Sequence, residues 1–344
     1  MPSMALFIIT LGIIIGTLTA ISANHWLTAW LGLELNMISI LPMITKQKHP
    51  RATEAATKYF LTQAIASALM LFSSTLNAWQ TGSWNITQLD NKLSCILMIM
   101  ALTMKMGAAP THFWLPEVMQ GSTLATTLLI TTWQKIAPIT LLYMISNHVE
   151  TTITLTIGLL SILVGGWGGF NQTQIRKMMA YSSIAHLGWT MTVISITPNI
   201  AIMNIITYMT ISTPFFLMLM TTSSKTLQTM TTIWIYAPIT TIIMMLLLLS
   251  MAGLPPLTGF TPKLLILDNL VTHKLTLMAT TMAMFSLLSL TFYLRTTYLL
   301  TSTAPPTTTQ STTLWRLTSH QNQITTTLTP VALFNITILP SLLM

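Results

Sequence analysis

Runs of about twenty predominantly apolar residues recur from one end of this chain to the other, and that repetition limits the fold before any motif is read. Lipid cannot satisfy a backbone N–H or C=O, so such runs cross a bilayer as helices. About eleven spans can be placed, at residues 3–23, 25–45, 54–79, 92–120, 122–146, 151–170, 174–195, 199–222, 237–271, 275–300 and 324–343. The connections are short except for 301–322, which is rich in threonine and proline and carries Trp315 and Arg316. With 52% apolar and only 6% charged residues over 344 positions, this is an all-α polytopic membrane protein and not a pair of soluble domains.

Two spans, 92–120 and 237–271, exceed the usual length, and each has prolines near its middle. Pro110 lies in the first; Pro255 and Pro256, flanked by Gly253 and Gly259, lie in the second. Proline removes a backbone donor and frees the carbonyl four residues back, so both spans are expected to be broken helices. Irregular backbone at membrane depth is stable only inside protein or beside water, which marks both breaks as candidate sites, with a simple kink as the alternative.

The broken spans are the fourth of spans one to five and the fourth of spans six to ten. Five is odd, so the halves would be inverted repeats: 1–146 and 151–300, then a polar connection at 301–323 and a C-terminal helix at 324–344. Loop cations fall mainly on one side. Lys46, Lys48, Arg51, Arg176, Lys177, Lys225 and Arg316 share the N-terminal side, against Lys92 and Lys274 opposite, which predicts an N-terminus on the positive, matrix-like face. The excess of 14 Lys and Arg over 6 Asp and Glu is explained by these loops without a nucleic-acid partner. The single Cys95 excludes a disulfide framework or an iron–sulfur site held by this chain alone. The N-terminus lacks a basic region and reads as a first span, not a removable leader. An excess of methionine (26 residues) fits a mitochondrial genetic code. Sequons at Asn85, Asn171 and Asn335 are read as accidental.

Glu34, Lys105, Lys135 and Lys263 fall deep within spans. One charge at a helix centre costs roughly 2.5–3.5 kcal/mol on insertion scales, so four together cost on the order of 10 kcal/mol. Snorkelling to the headgroups is the structural alternative, and the depth of these residues argues against it. Burial disfavours the charged form of a lysine and a nearby carboxylate favours it, so a buried lysine can take or release a proton as its partner moves. Glu34, in LGLELNM, is the carboxylate at matching depth and the expected partner of Lys105. His112, two residues past Pro110, and His186, in YSSIAHLGW, are candidate relays, or else hydrogen-bonded packing residues. Haem ligation would need paired histidines on facing helices, which these two do not provide. Glu117 reads as a boundary residue, Asp268 as a terminal proton acceptor or a merely solvated carboxylate, Tyr181, Ser182 and Ser183 as a hydrated path or backbone-satisfying hydroxyls, and the glycines of GGWGG as a close helix contact.

Taken together, ALTMKMGAAPTHFWLPEVMQG, GGWGGFNQTQIRKMMAYSSIAHLGW, AGLPPLTGFTPK, LGLELNM and TWQKIAPI resemble the antiporter-like membrane subunits of respiratory NADH–ubiquinone oxidoreductase (complex I), specifically the mitochondrial chain 2 family. The resemblance runs from about residue 20 to about 300. It implies a proton-translocating subunit of a proton-pumping NADH:ubiquinone reductase in the mitochondrial inner membrane, with no redox site of its own. Glu34 and Lys105 match that family's coupled pair, Lys135 its central lysine and Lys263 the lysine after the second break, while His112 and His186 fall on relay positions. NADH, FMN, iron–sulfur clusters and ubiquinone would be handled by other subunits. The implied neighbours are subunit 4, subunit 4L and nuclear-encoded accessory subunits, with membrane lipids such as cardiolipin. Thr111 and Leu264 depart from the family's common aromatic and tryptophan at those positions. The rival readings are a stand-alone cation/proton antiporter, a structural scaffold of the membrane arm and, more weakly supported, a quinone-binding subunit.

Overall fold

The computed structural model describes residues 3–235, 237–304 and 323–334. Their regular structure is helical, apart from isolated bridges at His25–Asn85 and Gln174–Thr226. Among the described residues seven helical stretches, Leu124–His148 counted as one, are long and apolar enough to cross a membrane, and shorter apolar helices supplement them. The side-chain distribution inverts that of a soluble protein: Phe7 and Ile8 are 59% and 64% exposed while Lys105 and Lys135 are 7% and 2% exposed. An exterior of that kind suits lipid or neighbouring helices. The chain is an all-α polytopic membrane protein.

The helices run in the expected order. They are α1 (Ser3–Ile21), α2 (Trp26–Ile44), α3 (Pro50–Thr81), α4 (Lys92–Met106), α5 (Trp114–Gly121), α6 (Leu124–Thr131), α7 (Trp133–Ile145) and α8 (Thr151–Gly169). There follow α9 (Ile175–Val193), α10 (Pro198–Thr222), α11 (Leu227–Thr231), α12 (Pro238–Ala252), α13 (Phe260–Thr272), α14 (Thr276–Ser302) and α15 (Gln323–Phe334). Contacts group the chain into two compact units, one of residues 1–161 with 194–198 and one of 162–193 with 199–344. The polar connection with Arg316, the sequon at Asn335 and the far end of the C-terminal span lie outside the described residues.

Both expected breaks are present, but proline is not what ends the helices. α4 stops at Met106 because Gly107 turns left-handed, at φ 78°, and α12 stops at Ala252 because Gly253 does the same at φ 84°. The Gly107 and Ala108 amides bond back to Met104 and Thr103, and the Gly253 and Leu254 amides bond back to Ser250 and Leu249. These are paired Schellman closures, which need a residue without a Cβ at the turn. Pro110 and Pro255–Pro256 come afterwards and keep the helix from resuming.

A third interruption, at Thr132, divates from the uninterrupted span expected at 122–146 and separates α6 from α7. The Thr131 hydroxyl bonds the Thr127 carbonyl at 3.0 Å and the Thr132 hydroxyl bonds the Leu128 carbonyl at 2.7 Å. Hydroxyls that bond back in this way compete with the helical ladder and bend it.

In the first unit, α1 and α2 cross backbone to backbone. A Cβ added at Gly16 would lie 2.8 Å from the Gly32 carbonyl oxygen, and one at Gly32 would lie 2.8 Å from that of Gly16. α3 packs on α2, α4 and α5, and α7 packs on α4, α1 and α2. In the second unit α9 is buried on nearly all sides. The GGWGG glycines make the close contacts expected of them: a Cβ at Gly165 would meet the Ala185 amide nitrogen at 2.6 Å, and one at Gly169 would meet the Phe292 ring at 2.8 Å.

Candidate functional site

Lys105 is in the last turn of α4, directly before the Gly107 turn, and is almost fully enclosed. No side chain or carbonyl among the described residues bonds its Nζ. The Glu34 carboxylate on α2 is close enough for its charge to act on both Lys105 and the Tyr59 hydroxyl, but the link to Lys105 is through space and is not a hydrogen bond. The α4 carbonyls around the lysine are held from outside. Gln63 on α3 donates its amide to the Lys105 carbonyl at 3.4 Å, and the Trp114 indole on α5 donates to the Met104 carbonyl at 3.1 Å. Tyr59 packs edge-on against Trp114, with ring centroids 5.7 Å apart.

His112 lies in the break itself, buried, with Nδ1 3.2 Å from the Pro110 carbonyl oxygen and its ring against Phe113. The Ala109–Pro110 peptide is cis. Lys135 sits in the first turn of α7, just past the Thr132 interruption, and is enclosed. In the first unit Glu34 and Lys105 lie on α2 and α4, both of which pack on α7, the helix that carries Lys135.

In the second unit Lys263, in the first turn of α13, reaches back across the break. Its ammonium donates to the Ala252 carbonyl at 2.7 Å and lies 6.0 Å from the centre of the Trp189 ring on α9. A helix C-terminus carries partial negative charge, and an indole face attracts a cation, so both neighbours favour the ammonium without a carboxylate. His186, also on α9, lies against Tyr208 with ring centroids 4.8 Å apart, and its carbonyl accepts from Asn204. Ser182 and Ser183 are buried on the same helix, where their hydroxyls donate to the Met179 and Ala180 carbonyls, and Tyr208 and Tyr293 are buried too. Asp268 is exposed.

Several of these groups were not singled out from the sequence. Tyr59 and Gln63 are polar positions one helical turn apart in an apolar span, and Ser67, Ser74 and Asn77 continue the same buried stripe. That i, i+4 polarity was the available signal. Tyr208 and Tyr293 carried no comparable one, being aromatic residues in apolar runs. Among the described residues no cluster of three or more His, Cys, Asp or Glu side chains could hold a metal ion.

Residues 23–289 match the family described as NADH:quinone oxidoreductase/Mrp antiporter, transmembrane. The chain belongs to this family. NADH-ubiquinone oxidoreductase chain 2 of Xenopus laevis is 51% identical over 314 residues, 91% of this chain and 90% of that protein. Its namesake from Aquarana catesbeiana is 49% identical over 344 residues, covering 100% of each. A chain of respiratory complex I from Thermus thermophilus superposes with a TM-score of 0.84 at 24% identity, over 98% of this chain and 80% of that one, and this is a likeness of fold.

Proposed function

We propose that this chain is a proton-translocating, antiporter-like core subunit of a respiratory NADH:ubiquinone oxidoreductase, moving protons through buried lysines and histidines. The observation that carries the reading is the placement of Lys105, Lys135 and Lys263. Each lies within one turn of a helix end at an interruption of an apolar span, at Gly107, Thr132 and Gly253 respectively. An interruption supplies polar backbone at depth, where a transferable proton needs acceptors and donors. In the proposed route a proton taken up at Lys105, under the influence of Glu34, passes through Lys135 toward Lys263, with His112 and His186 as relays. The energy comes from quinone chemistry in other subunits, which also hold NADH, FMN and the iron–sulfur clusters.

The names of the relatives support membership of complex I, and the 26 methionines support a mitochondrial gene. We place the chain in the inner membrane with its N-terminus on the matrix side, as two inverted five-helix repeats beside subunit 4, subunit 4L, accessory subunits and lipids such as cardiolipin. The deciding experiment replaces Lys105 or Lys135 with methionine in the assembled complex and follows NADH oxidation and proton pumping. Both are expected to fall sharply. Normal pumping by both variants would leave the chain a scaffold. Ion exchange by the purified chain, without redox partners, would make it an autonomous antiporter.

A further inference from the structure

Glu117, which reads from the sequence as a boundary residue, occupies a more consequential place. Counted from the left-handed glycines, Glu117 and Lys263 stand at the same position, each ten residues past its glycine and each directly after a proline. In the second unit this position ties the half-helix after the break to the end of the half-helix before it, through the Lys263–Ala252 contact. A carboxylate cannot donate to a carbonyl, so Glu117 cannot make that tie. It pairs instead with Lys58 on α3, which also holds Glu54 one turn earlier.

The pair does not stand alone. A Cβ at Gly121, the last residue of α5, would meet the Arg51 carbonyl oxygen and the Ala55 Cβ at 2.6 Å, so α5 lies flush against the first turns of α3. Farther along the same two helices are Tyr59 and Trp114, ring against ring, and then Gln63. Trp114 and Gln63 are the residues that hold the Met104 and Lys105 carbonyls. The 32 residues of α3 span about 48 Å, more than the roughly 30 Å of a hydrocarbon core, so its first turns project to the boundary, where half-exposed charges are stable.

We propose that Lys58, bridging Glu54 and Glu117, is a latch that positions Lys105, by fixing α5 against α3 and so fixing the two side chains that clamp the end of α4. The proposal rests on the reading of Lys105 as a proton carrier, and it makes Lys58 and Glu117 positioning residues and not carriers. An isolated ion pair at such exposure contributes little to stability, so the effect is expected in function more than in complex content.

The test compares Lys58→Met, Glu117→Gln, the double variant and Glu117→Asp in the assembled complex, reading proton-pumping rate and hydrogen exchange at the Gly107 and Ala108 amides. Each charge-removing single variant is expected to pump on the order of ten-fold more slowly, with faster exchange at both amides. The double variant should be no worse than the poorer single variant, and Glu117→Asp should recover most of the rate. Normal pumping in both single variants overturns the latch, as do multiplied losses in the double variant. If Glu117→Gln does not accumulate, amide exchange in Lys58→Met decides, and unchanged exchange overturns the proposal. Lys105→Met separates the two ideas. If it is inactive while the latch variants pump normally, only the latch falls; if it pumps normally, the reading of Lys105 as a carrier falls and the latch with it.

Discussion

The Lys263 ammonium lies 2.7 Å from the carbonyl oxygen of Ala252, eleven residues earlier and on the far side of the helix break. The distance is possible because the residue between them in space has no side chain. At Gly253 a Cβ would sit 3.0 Å from both Cδ and Nζ of the lysine.

Gly253→Ala is therefore expected to act twice. It places a Cβ at φ 84°, at a cost of about 1–2 kcal/mol, and it pushes Lys263 off the Ala252 carbonyl. Lower thermal stability of the complex together with slower pumping is the expected result, and a variant with neither defect would show that the contact is incidental.

Trp114→Phe keeps the ring and removes the indole donor that the Met104 carbonyl accepts. Loss of one buried hydrogen bond costs about 1–3 kcal/mol when the acceptor is stranded. Pumping should fall while Tyr59 keeps its aromatic neighbour, and exchange at the Gly107 amide reports whether the end of α4 has loosened.

Gly165→Ala puts a methyl group 2.6 Å from the Ala185 backbone nitrogen. Backbone cannot rotate away as a side chain can, so α8 and α9 must separate, at a cost of about 1–3 kcal/mol. The content of assembled complex on native gels should drop, whereas substitution of the exposed Trp167 by leucine should change it far less.

Thr258→Val removes the hydroxyl that donates to the Ala332 carbonyl and so ties α15 to the second break. About 1 kcal/mol of that attachment should be lost, seen as faster proteolysis near residues 323–334 with the remaining fragment intact.

The order of the spans was legible from apolar run length alone, because lipid leaves the chain few alternatives; the eleven expected spans do not correspond one to one with helices, since breaks divide three of them. The break points were legible as places but were assigned to the wrong residue type. Pro110 and Pro255 are conspicuous, whereas Gly107 and Gly253 end the helices through a backbone turn that any glycine could equally have declined to make. The division at Thr132 was missed because threonine hydroxyls that bend a helix look the same as the many that merely bond back within it. The buried charges stood out by their expense. Their surroundings did not, since Tyr59, Gln63 and Trp114 meet α4 only through tertiary packing, and Glu117 finds Lys58 across fifty-nine residues of sequence.

The crossing of α1 over α2 at Gly16 and Gly32 gives the first unit an anvil. With backbone pressed on backbone two residues before Glu34, that carboxylate rides on a part that can neither slide nor roll without collision. Lys105 is mounted differently, one residue from the end of its helix, where Trp114 and Gln63 hold the carbonyls, and on a flexible four-carbon arm. The spacing of these two charges is then set more by the lysine's long arm and by the hold on the end of α4 than by movement of α2 against α1.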